Sequence, residues 1–434
     1  MKYTVLTVAT TLISIIIYVM PFHAFLTVWG SSLFGHYIAL RLWKEVLLLI
    51  LAVGACFLLL IDHKIRTHTL PRRLVWTILT YCFLLTAWGI IAYSRDQVTT
   101  KAFGYGLITD LRFPVFFLLT WTIALRTNRL HKRSERLIMG PAVLVIIFGL
   151  LQVFALPRDF LRHFGYSEAT IYPYETINHN INYIRVASTL RGANPLGTYL
   201  IIPISLLTVF LAAGRRNWQR FALLAGALTV LFFSYSRAAW VGTALSIAVV
   251  LAVGLRSTLL RKEFLVGGVV LLVAFAGLAI TAHGNARLEN VFLHTESHSQ
   301  IKKTSNEGHL SATMAGLKDV AHHPLGQGVG SSGPASVYNK QQRIPENYYL
   351  QIGEEAGWLG LGIFVFMNVG IGYLLWLRRH DPLALCLFAS LIGISAVNLF
   401  SQAWGDDTLA YVWWGLAGVA MVNAPTAATK TKKK

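Results

Sequence analysis

The sequence predicts an all-α polytopic membrane protein of about twelve transmembrane helices, with a large loop domain on the outer side. Three observations carry this expectation. Of 434 residues, 55% are hydrophobic and only 13% charged, and the mean hydropathy is +0.55; soluble chains are seldom so apolar. The apolar residues recur in runs of about 17–22, the length a helix needs to cross a bilayer. The basic residues behind the net charge of +19 are dispersed between those runs, which favours a membrane over a nucleic acid as the partner.

In chain order the expected spans are residues 4–20, 43–61, 74–93, 107–125, 137–156, 196–213, 221–236, 238–255, 263–282, 357–377, 383–404 and 408–423. Only the short SYSRAAW turn separates the seventh from the eighth. The first run lacks an A-x-A-like cleavage site and is followed by PFHAF, which reads as a loop, so it is a span and not a signal peptide. With the N-terminus inside, the inner connections are HKIRTHTLPRR, RTNRLHKRSER, GRRNWQR, RSTLLRK, RRHD and the tail TKTKKK. All are rich in Lys or Arg, which is the positive-inside pattern. The resulting organisation is residues 1–282 with nine spans and an outer loop at 157–195, a large outer loop at 283–356, three spans over 357–423, and a basic inner tail at 424–434. Cys56, Cys82 and Cys386 all fall in spans and read as small apolar residues, not as disulfide partners.

The two long outer loops carry arginines against the positive-inside trend, among them Arg185, Arg191, Arg287 and Arg343, with Arg237 at the outer end of a span. An anionic ligand is the simplest reason for them. In the second loop Leu310, Met314, Leu317 and Ala321 recur at helical spacing, with Lys318 and Asp319 on the other side. This predicts an amphipathic helix over 307–322 near the membrane surface. His309 stands at its first turn and His322 and His323 at its last, roughly 20 Å apart, so this helix alone cannot bring them to one metal. The glycines of PLGQGVGSSG (324–333) read as a tight turn needing positive φ and close approach. A nucleotide loop would follow a strand and end in Lys-Ser/Thr. Glu346-Asn347 then open the segment IPENYYLQIGEEAGWLGLGIF; Glu346 is a candidate base, with helix capping as the structural alternative.

The order of SYSRAAWVG, a long outer loop containing GH and HPLGQGVG, and ENYYLQIGEEAGWLGLGIF resembles the O-antigen ligase and polymerase superfamily, and RGANPLGTYL (191–200) is similar to it as well. The resemblance covers most of the chain and is strongest over 185–365. It implies an inner-membrane enzyme with its site facing the periplasm. Such an enzyme moves a polysaccharide from undecaprenyl diphosphate to lipid A–core. The departing diphosphate asks for fixed cations and the acceptor hydroxyl for a base. Arg191 and Arg237 match family arginines. Arg185, Arg287, Arg343, His322, His323 and Asn347 are supporting substrate-binding candidates, and His309 and Glu346 compete as base. Some relatives carry His-Asn where this chain has Glu346-Asn347, which weakens any carry-over of a histidine to that position. It also disfavours a protein-glycosylating oligosaccharyltransferase.

No D-x-D, E-x-D or E-x-E occurs, and the first outer loop, 21–40, has no carboxylate. Metal-dependent membrane glycosyltransferases carry acidic ligands there, so neither a metal held by oxygen ligands nor any other cofactor is expected. The expected partners are the lipid-linked glycan, lipid A–core and membrane lipids, with no nucleic acid. The alternatives are an O-antigen polymerase and a transporter or flippase of an anionic lipid or solute. The last would place charges at mid-membrane and show paired repeats; most spans are uncharged in their central third, and no repeat is visible. Asp110 and Arg112, near the outer end of the fourth span, are placed to face the same site.

Overall fold

The computed structural model describes residues 2–63, 65, 67, 73–178, 180–215, 217–254 and 305–422. The expected ninth span, the first part of the large loop with Arg287, and the basic tail lie outside the described residues. The helices in chain order are α1 (Lys2–Val19), α2 (His23–Phe34), α3 (Tyr37–Arg41), α4 (Trp43–Ile61), α5 (Arg73–Ser94), α6 (Thr100–Ala124) and α7 (Arg129–Phe154). After a two-stranded antiparallel hairpin, β1 (Glu175–Ile177) and β2 (Asn180–Arg185), come α8 (Ala193–Ala212), α9 (Trp218–Phe233), α10 (Arg237–Gly254), α11 (Ser305–His322), α12 (Tyr348–Leu377), α13 (Pro382–Val397) and α14 (Asp407–Ala420). Among the described residues, eight helices are long and apolar enough to cross a membrane. The protein is thus an all-α polytopic membrane protein.

Two departures from the expected elements have clear causes. The segment after α1 does not become a loop: a single 3-10 turn, Met20–Phe22, leads directly into α2. Pro21 falls at the start of that turn, where its missing N–H costs no helical bond. The helix runs on until Gly35 takes φ +72 and closes it. The span expected to begin at 357 is already helical from Tyr348, where the Asn347 side chain accepts the Leu350 amide in a cap.

The core is centred on α14, whose residues 408–420 are all buried. Trp414 packs on α6, with Phe113 4.8 Å away between ring centres, while the adjacent Trp413 donates its indole N–H to Ser390 of α13 at 3.0 Å. Such large aromatic burial dominates core energetics. At one end of the bundle a basic-rich rim is clasped by Asp62, which receives Arg126 and Lys2, the latter at 2.7 Å. The Arg126 hydrogen bond holds the Asp62 carboxyl well below the usual carboxylate range. The hairpin, α11, the glycine run and the 398–406 turn all gather at the opposite end.

Candidate functional site at the loop-bearing end

The glycine run serves a break in α12. At Gly357 the backbone takes φ +66 and ψ −169 and the helix is interrupted. This frees the amide of Trp358 and the carbonyls of Glu354 and Glu355, which cannot stay unpaired in an apolar surround. Pro324 accepts the Trp358 amide at 3.0 Å, and Gln327 and Gly328 donate to the Glu354 and Glu355 carbonyls at 2.7 and 2.8 Å. Gly330, at φ +88, lies directly on the backbone of α6 at Ala102 and Phe103, and donates its amide to Glu355 Oε1 at 2.9 Å. The tight-turn expectation therefore holds: the run is a plug that completes a broken helix.

That plug fixes both ends of the segment carrying the candidate base. Upstream is α11, which packs Gly316 and Val320 against Pro345, Leu350 and Gly353. Its other face, with Leu310, Met314 and Leu317, stays exposed, as an interfacial helix requires. Downstream, Glu346 takes φ +53, an uncommon conformation for a residue with a Cβ. His309 Nδ1 and a Glu346 carboxylate oxygen come into contact, both side chains about two-fifths exposed. The two rival bases are thus one unit. His322 and His323 stand at the far end of α11, each folded back on its own helix through Nδ1, to the Lys318 carbonyl at 2.7 Å and the Asp319 carbonyl at 3.2 Å. Arg343 contacts Gln327 at 2.5 Å and Asp319 at 3.6 Å, tying the loop to the plug and to α11. Asn347, besides capping α12, donates to the Leu399 carbonyl at 3.0 Å.

The arginines gather around the hairpin. Arg185, opposite Glu175 in the β1–β2 register, pairs with that carboxylate at 3.6 Å. It also donates to the Ser234 carbonyl at 3.0 Å and to Asn194 at 2.6 Å. Burial pulls the Arg185 guanidinium below its ordinary pKa, opposed by Glu175. These bonds join RGANPLG, at the start of α8, to the SYSR turn between α9 and α10. Arg237 opens α10 from that turn and feels the like charge of Arg185. Arg191 is half-exposed, with Nε 4.0 Å from Asp406. Arg185 and Arg191 also line a cavity with Arg158, Glu175 and Tyr174. Among the described residues no three His, Cys, Asp or Glu side chains converge as a metal-ligand set.

Residues 221–365 match a family model described as O-antigen ligase. This match supports an O-antigen ligase-family assignment. The matched segment is about a third of the chain and contains Arg237, His309, His322, His323, Arg343, Glu346 and Asn347; Arg185 and Arg191 precede it. No curated protein matches the chain. The family model points to O-antigen ligase or polymerase chemistry of a glycosyltransferase type in a multi-pass membrane protein.

Two groupings of side chains at the same end are not apparent from the sequence, although Asp110 and Arg112 stand out in it singly. Asp110 and Arg112 take different partners. Asp110 meets Glu355 behind the plug, whereas Arg112 reaches Asp407 and donates to the Gly405 carbonyl at 2.6 Å. Asp407 also receives Lys44 at 3.0 Å and His23 at 3.4 Å. The only signal in the sequence was charge just inside apolar runs, WKEV at 43–46 and DDTLA at 406–410, where ionisable residues are costly and mark function.

Proposed function

We propose that this chain is an inner-membrane O-antigen ligase. It transfers polysaccharide from undecaprenyl diphosphate to lipid A–core on the periplasmic face, without a metal. The contact between His309 and Glu346, inside the segment that matches the family, carries this reading. Glu346 occupies Nδ1 of the imidazole and leaves Nε2 to take a proton, the arrangement in which a carboxylate orients a histidine base. An acceptor hydroxyl oxygen attacks the anomeric carbon of the donor. The new C–O bond forms as the anomeric C–O bond to the diphosphate breaks, the electron pair leaves on the diphosphate oxygen, and the hydroxyl proton passes to His309. Arg191 and Arg237 stabilise the departing diphosphate, with Arg185 beside them, while Arg343, His322, His323 and Asn347 shape the substrate path; Arg287, outside the described residues, is a further substrate-binding candidate. The domain organisation that fits this reading is the one expected from the sequence, with the loop at 283–356 outside.

The test uses purified full-length protein with lipid-linked glycan and lipid A–core in EDTA, the products being separated on a gel. Glycan attached to lipid A–core is the expected result. Longer lipid-linked glycan made without an acceptor would instead mark a polymerase, and dependence on added Mg²⁺ or Mn²⁺ would overturn the metal-free mechanism.

A further inference from the structure

The proposed site has two halves, and a buried charge network lies beneath them. Asp407 is its hub. Lys44, buried, donates to the Arg41 carbonyl at 2.9 Å, and its ammonium lies 3.0 Å from both Asp407 and Glu45, so its charge is compensated on the spot. The Trp43 indole N–H, a donor only, is 2.9 Å from His23 Nδ1; that nitrogen therefore accepts, and the proton sits on Nε2, facing Asp407. Arg112 holds both Asp407 and the carbonyl before Asp406.

Everything this hub fixes leads to the site. The carbonyls of Met20 and Pro21, three and two residues before His23, accept the hydroxyls of Thr408 at 3.0 Å and Thr189 at 2.8 Å. One turn thus grips α14 at the residue after Asp407 and the side chain two residues before Arg191. The same 398–406 turn accepts the Tyr348 amide through the Asn398 carbonyl at 2.9 Å and Asn347 through Leu399, directly after Glu346.

We infer that His23, Lys44, Arg112 and Asp407 are positioning residues that set Arg191 and hold it in register with Glu346 through the 398–406 turn. This inference rests on the proposed function for what Arg191 binds, but not for the coupling itself. Removing a charge or hydrogen-bond partner from the hub lets the turn relax, and Arg191 loses its placement without losing its charge. The network is built from α1–α2, α4, α6 and α14, so the outer ends of the N-terminal helices become part of the site.

The experiment has two readouts on the full-length protein in lipid nanodiscs. The first is binding of undecaprenyl diphosphate to Arg191→Gln, Asp407→Asn, His23→Ala and the double variant Arg191→Gln/Asp407→Asn. Asp407→Asn and His23→Ala are expected to weaken binding about tenfold, on the scale of one charge-assisted hydrogen bond. His23→Gln, which keeps a donor toward Asp407, should recover most of the loss. The double variant should bind no worse than Arg191→Gln alone, because coupled residues are non-additive. The second readout is the mobility of a nitroxide at Arg191→Cys, with Cys56, Cys82 and Cys386 replaced by alanine; Asp407→Asn and His23→Ala should both increase it. If Asp407→Asn does not fold, the His23 variants decide. Unchanged mobility, or additive losses in binding, overturns the inference. Increased mobility together with unchanged binding by Arg191→Gln sustains the coupling and overturns the diphosphate role of Arg191.

Discussion

His309 and Glu346 should contribute very unequally to rate, and the structure sets the ratio. If His309 Nε2 takes the hydroxyl proton, His309→Ala removes the base, a loss of about 10²–10⁴-fold. Glu346→Gln removes only the partner of Nδ1. Both side chains are about two-fifths exposed, so solvent screens the pair and it is worth about 0.2–1 kcal/mol. At about 1.4 kcal/mol per tenfold, that is at most about fivefold in rate. The two single variants should therefore differ by an order of magnitude or more.

The assay is the initial rate of glycan transfer at saturating donor and matched membrane levels, with thermal unfolding as a check on the fold. His309→Ala should lose at least about 10²-fold and Glu346→Gln no more than about fivefold, and the double variant should match His309→Ala, as residues acting in one step do. A dead Glu346→Gln beside an active His309→Ala would make the carboxylate the base and refute the reasoning. Full activity in both would remove general-base catalysis by this loop altogether.

The remaining expectations concern charge, sidedness and backbone. Arg191→Lys and Arg237→Lys keep the charge but lose the planar fork, so each should lose most transfer activity with normal membrane levels; near-normal rates in either would demote that residue to packing. A cysteine at Ser311, exposed on α11, should react with an impermeant thiol reagent in intact spheroplasts, and labelling only after lysis would reverse the topology. Gly330→Ala places a Cβ against the α6 backbone at positive φ and should cost more than the roughly 1–2 kcal/mol of the left-handed conformation alone, read as a lowered unfolding temperature. Gly104→Ala, in open space on the same helix, should leave that temperature unchanged or slightly raised.

Apolar periodicity carried most of the fold, because in a membrane the span length and the fate of every backbone hydrogen bond are fixed by the surroundings. It failed where a local rule was overruled. PFHAF looks like a loop, yet Pro21 opens a helix as readily as it ends one, and the turn there became the anchor for Thr189 and Thr408. Composition placed His309 and Glu346 in one loop, but their contact depends on the plug at Gly357, a long-range event that no spacing of 37 residues encodes. The network around Asp407 was the least legible. Its members lie at 23, 44, 112 and 407, on four separate apolar segments, and each alone reads as an interfacial charge. Only packing α14 through the centre of the bundle makes them partners. A desolvated carboxylate with three donors is costly unless all of them are present. If Arg191 is set by this network, motifs in 221–365 do not define the site alone, because α2, α4, α6 and α14 lie outside that segment.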